Sequence, residues 1–141
     1  MAKTVIADTS CLIVLSNINR LEILKSLYSG ITITPEIQAE FGGEIPNWIK
    51  VSSEKSDQKA LRLELDKGEA SAIDLGLVYD NVLILIDEKK GRKVARQLDL
   101  PVMGTLGVLI KAKEHGYITS LDKEIDKLKQ VEFRMSEKLI Q

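Results

Sequence analysis

The chain has 141 residues, 44% hydrophobic and 29% charged, with a net charge of −1. That is the balance of one ordinary globular domain, read as residues 1–141. No apolar run approaches the ~20 residues of a membrane-spanning helix, Asp8 interrupts the N-terminal stretch in a way that suits no signal peptide, and a pI of about 5.9 excludes holding nucleic acid by bulk charge.

Thr4 to Ala7 is a short apolar strand ending at Asp8. Leu12, Ile13, Leu15, Ile18, Leu21, Leu24 and Leu27 then recur at helical steps, and Asn17-Ile18-Asn19 divides them into two short helices. Thr9 or Ser10 can cap the first of these. Gly30 ends the stripe, and Ile31-Thr32-Ile33 is the second strand. Thr34-Pro35-Glu36 opens a helix, with a hydroxyl N-cap and proline at the first helical position, that runs to Gly42-Gly43. Pro46 to Val51 is a loop entering an edge strand, and Trp48 is read as an edge or interface residue. Ser52 to Asp57 is polar linker. Leu61 and Leu65 place a helix that stops at Lys67-Gly68, and Glu69 opens another. Val82 to Ile86 is apolar at every position, as suits a parallel strand covered on both faces. A basic helix with Lys89, Lys90, Arg92, Lys93 and Arg96 follows. Leu100 to Met103 is a last short strand, Gly104-Thr105 turns into a helix ending near Gly116, and the segment from Leu121 onward is an amphipathic helix. Strands alternating with helices predict an α/β domain with a mostly parallel sheet.

Cys11 is the sole cysteine and His115 the sole histidine, so neither an intramolecular disulfide nor a thiolate or imidazole zinc cage can be built. The single thiol fits a reducing cytoplasm.

Parallel sheets bind ligands beyond the C-terminal ends of their strands. Two strands here run into acid at that end, at Asp8 and at Asp87, and Glu40 and Glu69 stand at helix positions able to face the same edge. Each acid has an ordinary alternative. Asp8 can form an Asx turn or cap a helix, Glu40 can be a solvated helix residue, Glu69 is favoured by the helix dipole, and Asp87-Glu88 can cap the next helix. If the four converge, two unit charges ~4 Å apart repel by about 4 kcal/mol at an effective dielectric of ~20. Some must then take up protons, or a cation must join them, and an all-oxygen set suits Mg²⁺ or Mn²⁺. The basic helix reads equally as a phosphate-positioning patch or a solvated face, with Arg92 the first candidate for a phosphate contact.

Ile6-Ala7-Asp8-Thr9-Ser10 resembles the opening of PIN domains, the metal-dependent ribonuclease fold of VapC-type toxins. Thr34 to Glu40, Gly68 to Ile73 and Leu85 to Glu88 resemble the three acidic motifs that follow, and Asp87 to Ala95 with Gly104 to Leu109 resembles the DUF3368-type subgroup. The resemblance implies a three-layer αβα sandwich around a central, mostly parallel sheet of four to five strands. It implies metal-binding and catalytic roles for Asp8, Glu40, Glu69 and Asp87, support from Ser10 and Thr9, and nucleic-acid contacts from Arg92, Lys89, Lys90 and Lys93. It further implies Mg²⁺- or Mn²⁺-dependent endonucleolytic cleavage of RNA in the cytoplasm, a homodimer, and a small antitoxin partner. The alternative is a binding module of the same fold, for RNA or protein, with little catalysis.

Overall fold

The computed structural model describes residues 3–56 and 65–140. Five strands, β1 (Thr4–Ala7), β2 (Ile31–Ile33), β3 (Ile49–Val51), β4 (Val82–Leu85) and β5 (Val102–Met103), form one sheet in the order β3-β2-β1-β4-β5. Every pairing is parallel, with Ile6 beside Thr32 on one side and Ile84 on the other. Seven helices among the described residues flank it: α1 (Thr9–Asn17), α2 (Ile23–Tyr28), α3 (Pro35–Phe41), α4 (Lys67–Gly76), α5 (Lys89–Gln97), α6 (Thr105–Glu114) and α7 (Leu121–Ile140).

Successive side chains of a strand point to opposite faces. Val5, Ile6 and Ala7 of β1 and all four residues of β4 are nevertheless buried, so both faces of the sheet are covered and the architecture is an αβα sandwich. Helix α4 lies on β1 and β4 and touches α5, while α6 packs against α1, α2 and α7. α4 comes close to the sheet because of Gly76: a Cβ there would stand 2.6 Å from Ile84 Cδ1.

Most expected boundaries recur. The first helical stripe does split, with α1 ending at Asn17 and α2 starting at Ile23. Thr34 caps α3 by accepting from the Ile37 N–H, and Gly42 closes that helix in the left-handed conformation at φ 74°. The helix expected around Leu61 falls largely outside the described residues. Its expected stop at Lys67-Gly68 is corrected, because α4 begins at Lys67 and Gly68 lies inside it. The cause is Asp66, whose carboxylate accepts from the Glu69 N–H at 2.8 Å and caps the helix.

A three-residue hydroxyl chain ties α3 to α4. Ser71 donates to the Gly68 carbonyl at 2.8 Å, so its remaining capacity is as an acceptor, and Thr34 Oγ1 donates to it at 2.7 Å. At the far side, Arg20 holds α7 through a two-point ion pair with buried Glu124, at 2.8 and 3.1 Å. No helix among the described residues is long and apolar enough to cross a membrane.

Candidate acidic active site

All five strands are parallel and end on the same side, and the acids gather there. Asp8 occupies the N-cap position of α1 but makes no capping hydrogen bond. Its side chain is buried at 3% exposure, Oδ2 accepts from Ser10 Oγ at 3.4 Å, and Oδ1 has no hydrogen-bond partner. Glu40, in the last turn of α3, reaches back to α1 and accepts from Thr9 Oγ1 at 2.7 Å. Ser10 and Thr9 thus each serve one acid.

Asp8, Thr9, Ser10, Glu40, Asp66 and Glu88 line one cavity of about 220 Å³, with Ile13 and Val14 as its apolar wall. Asp66 was not among the acids expected from sequence, and Glu88 was read only as a possible cap. The signal for Asp66 was present: Asp-x-x-Glu at residues 66–69 is a capping-box pattern announcing a helix start. Glu88 holds the N-cap position of α5 without a side-chain capping bond, so its carboxylate is available to the cavity.

Glu69 lies behind this wall. It is buried at 4% exposure, and its Oε2 has no hydrogen-bond partner. Asp87 is placed differently from the expected convergence. Its two oxygens accept from the N–H and the hydroxyl of Thr105, at 2.6 Å each. It thereby caps α6 from the neighbouring loop, supplying the side chain that Gly104 at the N-cap position lacks. Asp87 lines a second cavity of about 510 Å³ that shares Ser10, Val14 and Glu88 with the first and runs between α6 and α7 past Leu106, Ile125 and Leu128.

Three glycines make room for these carboxylates. A Cβ on Gly68 would stand 2.0 Å from Glu40 Oε1, one on Gly91 would stand 2.3 Å from Glu69 Oε2, and one on Gly104 would stand 3.0 Å from Asp87 Oδ1. The sequence reading took Gly68 as a helix stop and assigned Gly91 no role. Lys89, Lys90 and Lys93 are exposed on α5, whereas Arg92 is half-buried.

The electrostatics follow from crowding and burial. Burial first, then the charges of Asp66 and Glu40, push the Asp8 carboxyl up to about 6. Burial, then the hydrogen bond and charge of Asp66, push Glu69 up to about 8, while that hydrogen bond from protonated Glu69 holds Asp66 below the usual carboxylate range. Burial and the Asp66 charge thus favour the proton on Glu69 over one on Asp66. Cys11 is excluded from the chemistry, since burial pushes its thiol up to about 12. Cys11 lies beside Thr105, and His115 is at the opposite end of α6, ten residues or ~15 Å along the axis, so the single thiol and the single imidazole do not meet.

A divalent cation fits this donor set. Among the described residues, the cavity is lined by carboxylates and hydroxyls with no nitrogen or sulfur side-chain donor, and two buried carboxylate oxygens lack partners. Among the described residues no three acidic, cysteine or histidine side chains stand close enough to cage an ion directly.

A five-stranded parallel sheet with acids at its C-terminal edge is an α/β arrangement whose ligand side is that edge. Residues 4–141 match the family DUF3368, described as PIN domain, and the chain belongs to that family. No curated protein and no solved structure matches it. PIN domains typically use divalent metals.

The raised Asp8 carboxyl has a consequence for stability. The folded chain holds that proton more tightly than the unfolded chain, so Asp8 costs nothing below pH 4, costs progressively more from pH 4 to 6, and carries its full cost above 6. In EDTA, Asp8→Asn will therefore raise stability at pH 7.5 by up to about 3 kcal/mol, and urea unfolding will show the gain vanish near pH 4. A variant less stable than wild type at pH 7.5 would show that the buried charge is compensated.

Proposed function

We propose that the protein is a metal-dependent endoribonuclease of the PIN type, hydrolysing RNA phosphodiesters. The observation that carries this reading is the buried, unpartnered Asp8 oxygen at the head of a cavity walled by Glu40, Asp66 and Glu88. Of Asp8, Glu40 and Asp66, one or two would hold Mg²⁺ or Mn²⁺ directly and the rest through its waters, with Glu69 joining on loss of its proton and Glu88 at the open side. A bound ion of this kind lowers the pKa of a coordinated water and stabilises charge on the phosphate.

The chain's own residues do the rest. Thr9 fixes the Glu40 carboxylate and Ser10 fixes Asp8, so both acids are oriented before substrate arrives. Glu88, exposed and facing the cavity, stands where it can take a proton from an attacking water. Asp87 acts through structure in this reading, by holding the start of α6 beside the site. The exposed Lys89, Lys90 and Lys93 supply local positive charge for an RNA backbone in a chain that has none in bulk.

The same reading makes the chain the toxin of a toxin–antitoxin pair, acting as a homodimer. The groove past Leu106, Ile125 and Leu128 supports a partner. Its walls are apolar and it carries Asp87, Glu88 and Glu132 against one cation, Lys129, so it suits a cationic, amphipathic segment of a small protein. Co-expression with a neighbouring short gene would yield a complex that Leu106→Asp disrupts. A complex insensitive to that change would place the partner elsewhere.

Cleavage of single-stranded RNA in Mn²⁺ and in EDTA tests the activity. Wild type will cut only with metal, and Asp8→Asn will fall to the buffer background. Gly68→Ala will fold, since alanine gains about 1 kcal/mol of helix propensity over glycine, but it will cut poorly because its methyl group takes the place of the Glu40 carboxylate. RNA bound tightly in EDTA and never cut would favour the binding module.

A further inference from the structure

Arg92 differs from the lysines beside it. They project into solvent, but Arg92 is half-buried and its Nε is fully buried with no hydrogen-bond partner. None of the described acids forms an ion pair with it. Asp87, which borders Gly104 together with Arg92, already accepts both donors of Thr105.

Its place is set by Gly104. A Cβ on Gly104 would stand 3.1 Å from Arg92 Nη1 and 3.0 Å from Asp87 Oδ1, so the guanidinium lies over a residue chosen for having no side chain. It sits beyond the ends of β4 and β5, with Asp87 standing between the strand end and the loop to α6. A guanidinium is always charged and presents a planar fork of donors that matches phosphate. One held at a sheet edge with its Nε–H unspent is preorganised for an anion that the described residues do not provide.

We propose that Arg92 binds a phosphate of the RNA backbone adjacent to the one being cut. This rests on the nuclease reading for the identity of the ligand. The acid cavity and Arg92 then make two separate contacts with one strand, so the substrate class is an oligonucleotide with consecutive phosphates rather than a mononucleotide. Arg92 is a binding and positioning residue: it sets where the strand lies, and the acids carry the reaction.

The test begins with wild-type, metal-free protein labelled with ¹⁵N. The buried Nε–H of Arg92 gives its own NMR signal, identified by its loss in Arg92→Lys. Titration with inorganic phosphate will move that signal saturably. In RNA binding measured in EDTA, Arg92→Gln will make the slope of log K against log salt shallower by about 0.7, the value for one phosphate contact on a single strand. In cleavage it will raise KM several-fold with kcat nearly unchanged, and Arg92→Lys will recover part of the loss because its charge remains. An Nε–H signal unmoved by phosphate overturns the assignment even in a chain that cuts RNA. So does an Arg92→Gln variant that lowers the melting temperature and kcat but leaves the salt slope alone. A saturable phosphate shift supports it even in a chain that cuts nothing, where the nuclease reading alone would fail.

Discussion

Like charge packed at a buried edge is the constraint on which this structure turns. Asp8 is nearly inaccessible, and Glu40, Asp66, Glu69 and Glu88 crowd around it. At the separations of neighbouring side chains such charges repel by several kcal/mol. The fold contains the repulsion in three ways. It leaves a proton on Glu69, gives Glu40 and Asp8 hydroxyl donors, and turns Asp87 aside to cap α6. What stays uncompensated is a pair of carboxylate oxygens with no donor.

The scaffold explains how the cost is carried. An all-parallel sheet puts five strand ends on one side, and apolar layers above and below fix their positions. β1 lies at the centre of the sheet, so Asp8 follows a strand paired on both sides and buried on both faces. Glycines provide the complementary half. Gly68, Gly91 and Gly104 are each the point where a helix or loop backbone comes within contact of a carboxylate. Dense packing around the acids requires residues without side chains on the opposing wall.

Much of the fold was legible in the sequence because local signals agreed with one another. The Thr34-Pro35 start, the apolar run of β4 and the break after Asn17 each rest on interactions within a few residues, and the structure places them as expected. The start of α4 was misread because glycine was taken as a stop, while the aspartate three residues before Glu69 carried the stronger signal. The site was legible only in outline. Alternation of strands and acids located the edge, but which oxygens face the cavity depends on pairings far apart in sequence. Asp87 meets Thr105 eighteen residues on, and Thr9 meets Glu40 thirty-one residues on. Asp87 and Glu88 both border the larger cavity, and no local pattern announces the pairing of Asp87 with Thr105.

The central claim is that these acids are a cation site, and proton counting on metal binding tests it most directly. Calorimetric titration with Mn²⁺ at pH 7, repeated in buffers of different ionisation enthalpy, measures protons released per ion. Burial and the neighbouring Asp66 raise the Glu69 carboxyl to about 8 without metal. The account therefore predicts release of close to one proton at pH 7, falling toward none above pH 9 as the carboxylate becomes free beforehand. Saturable Mn²⁺ binding with no proton release at pH 7, or no binding at all, would contradict it.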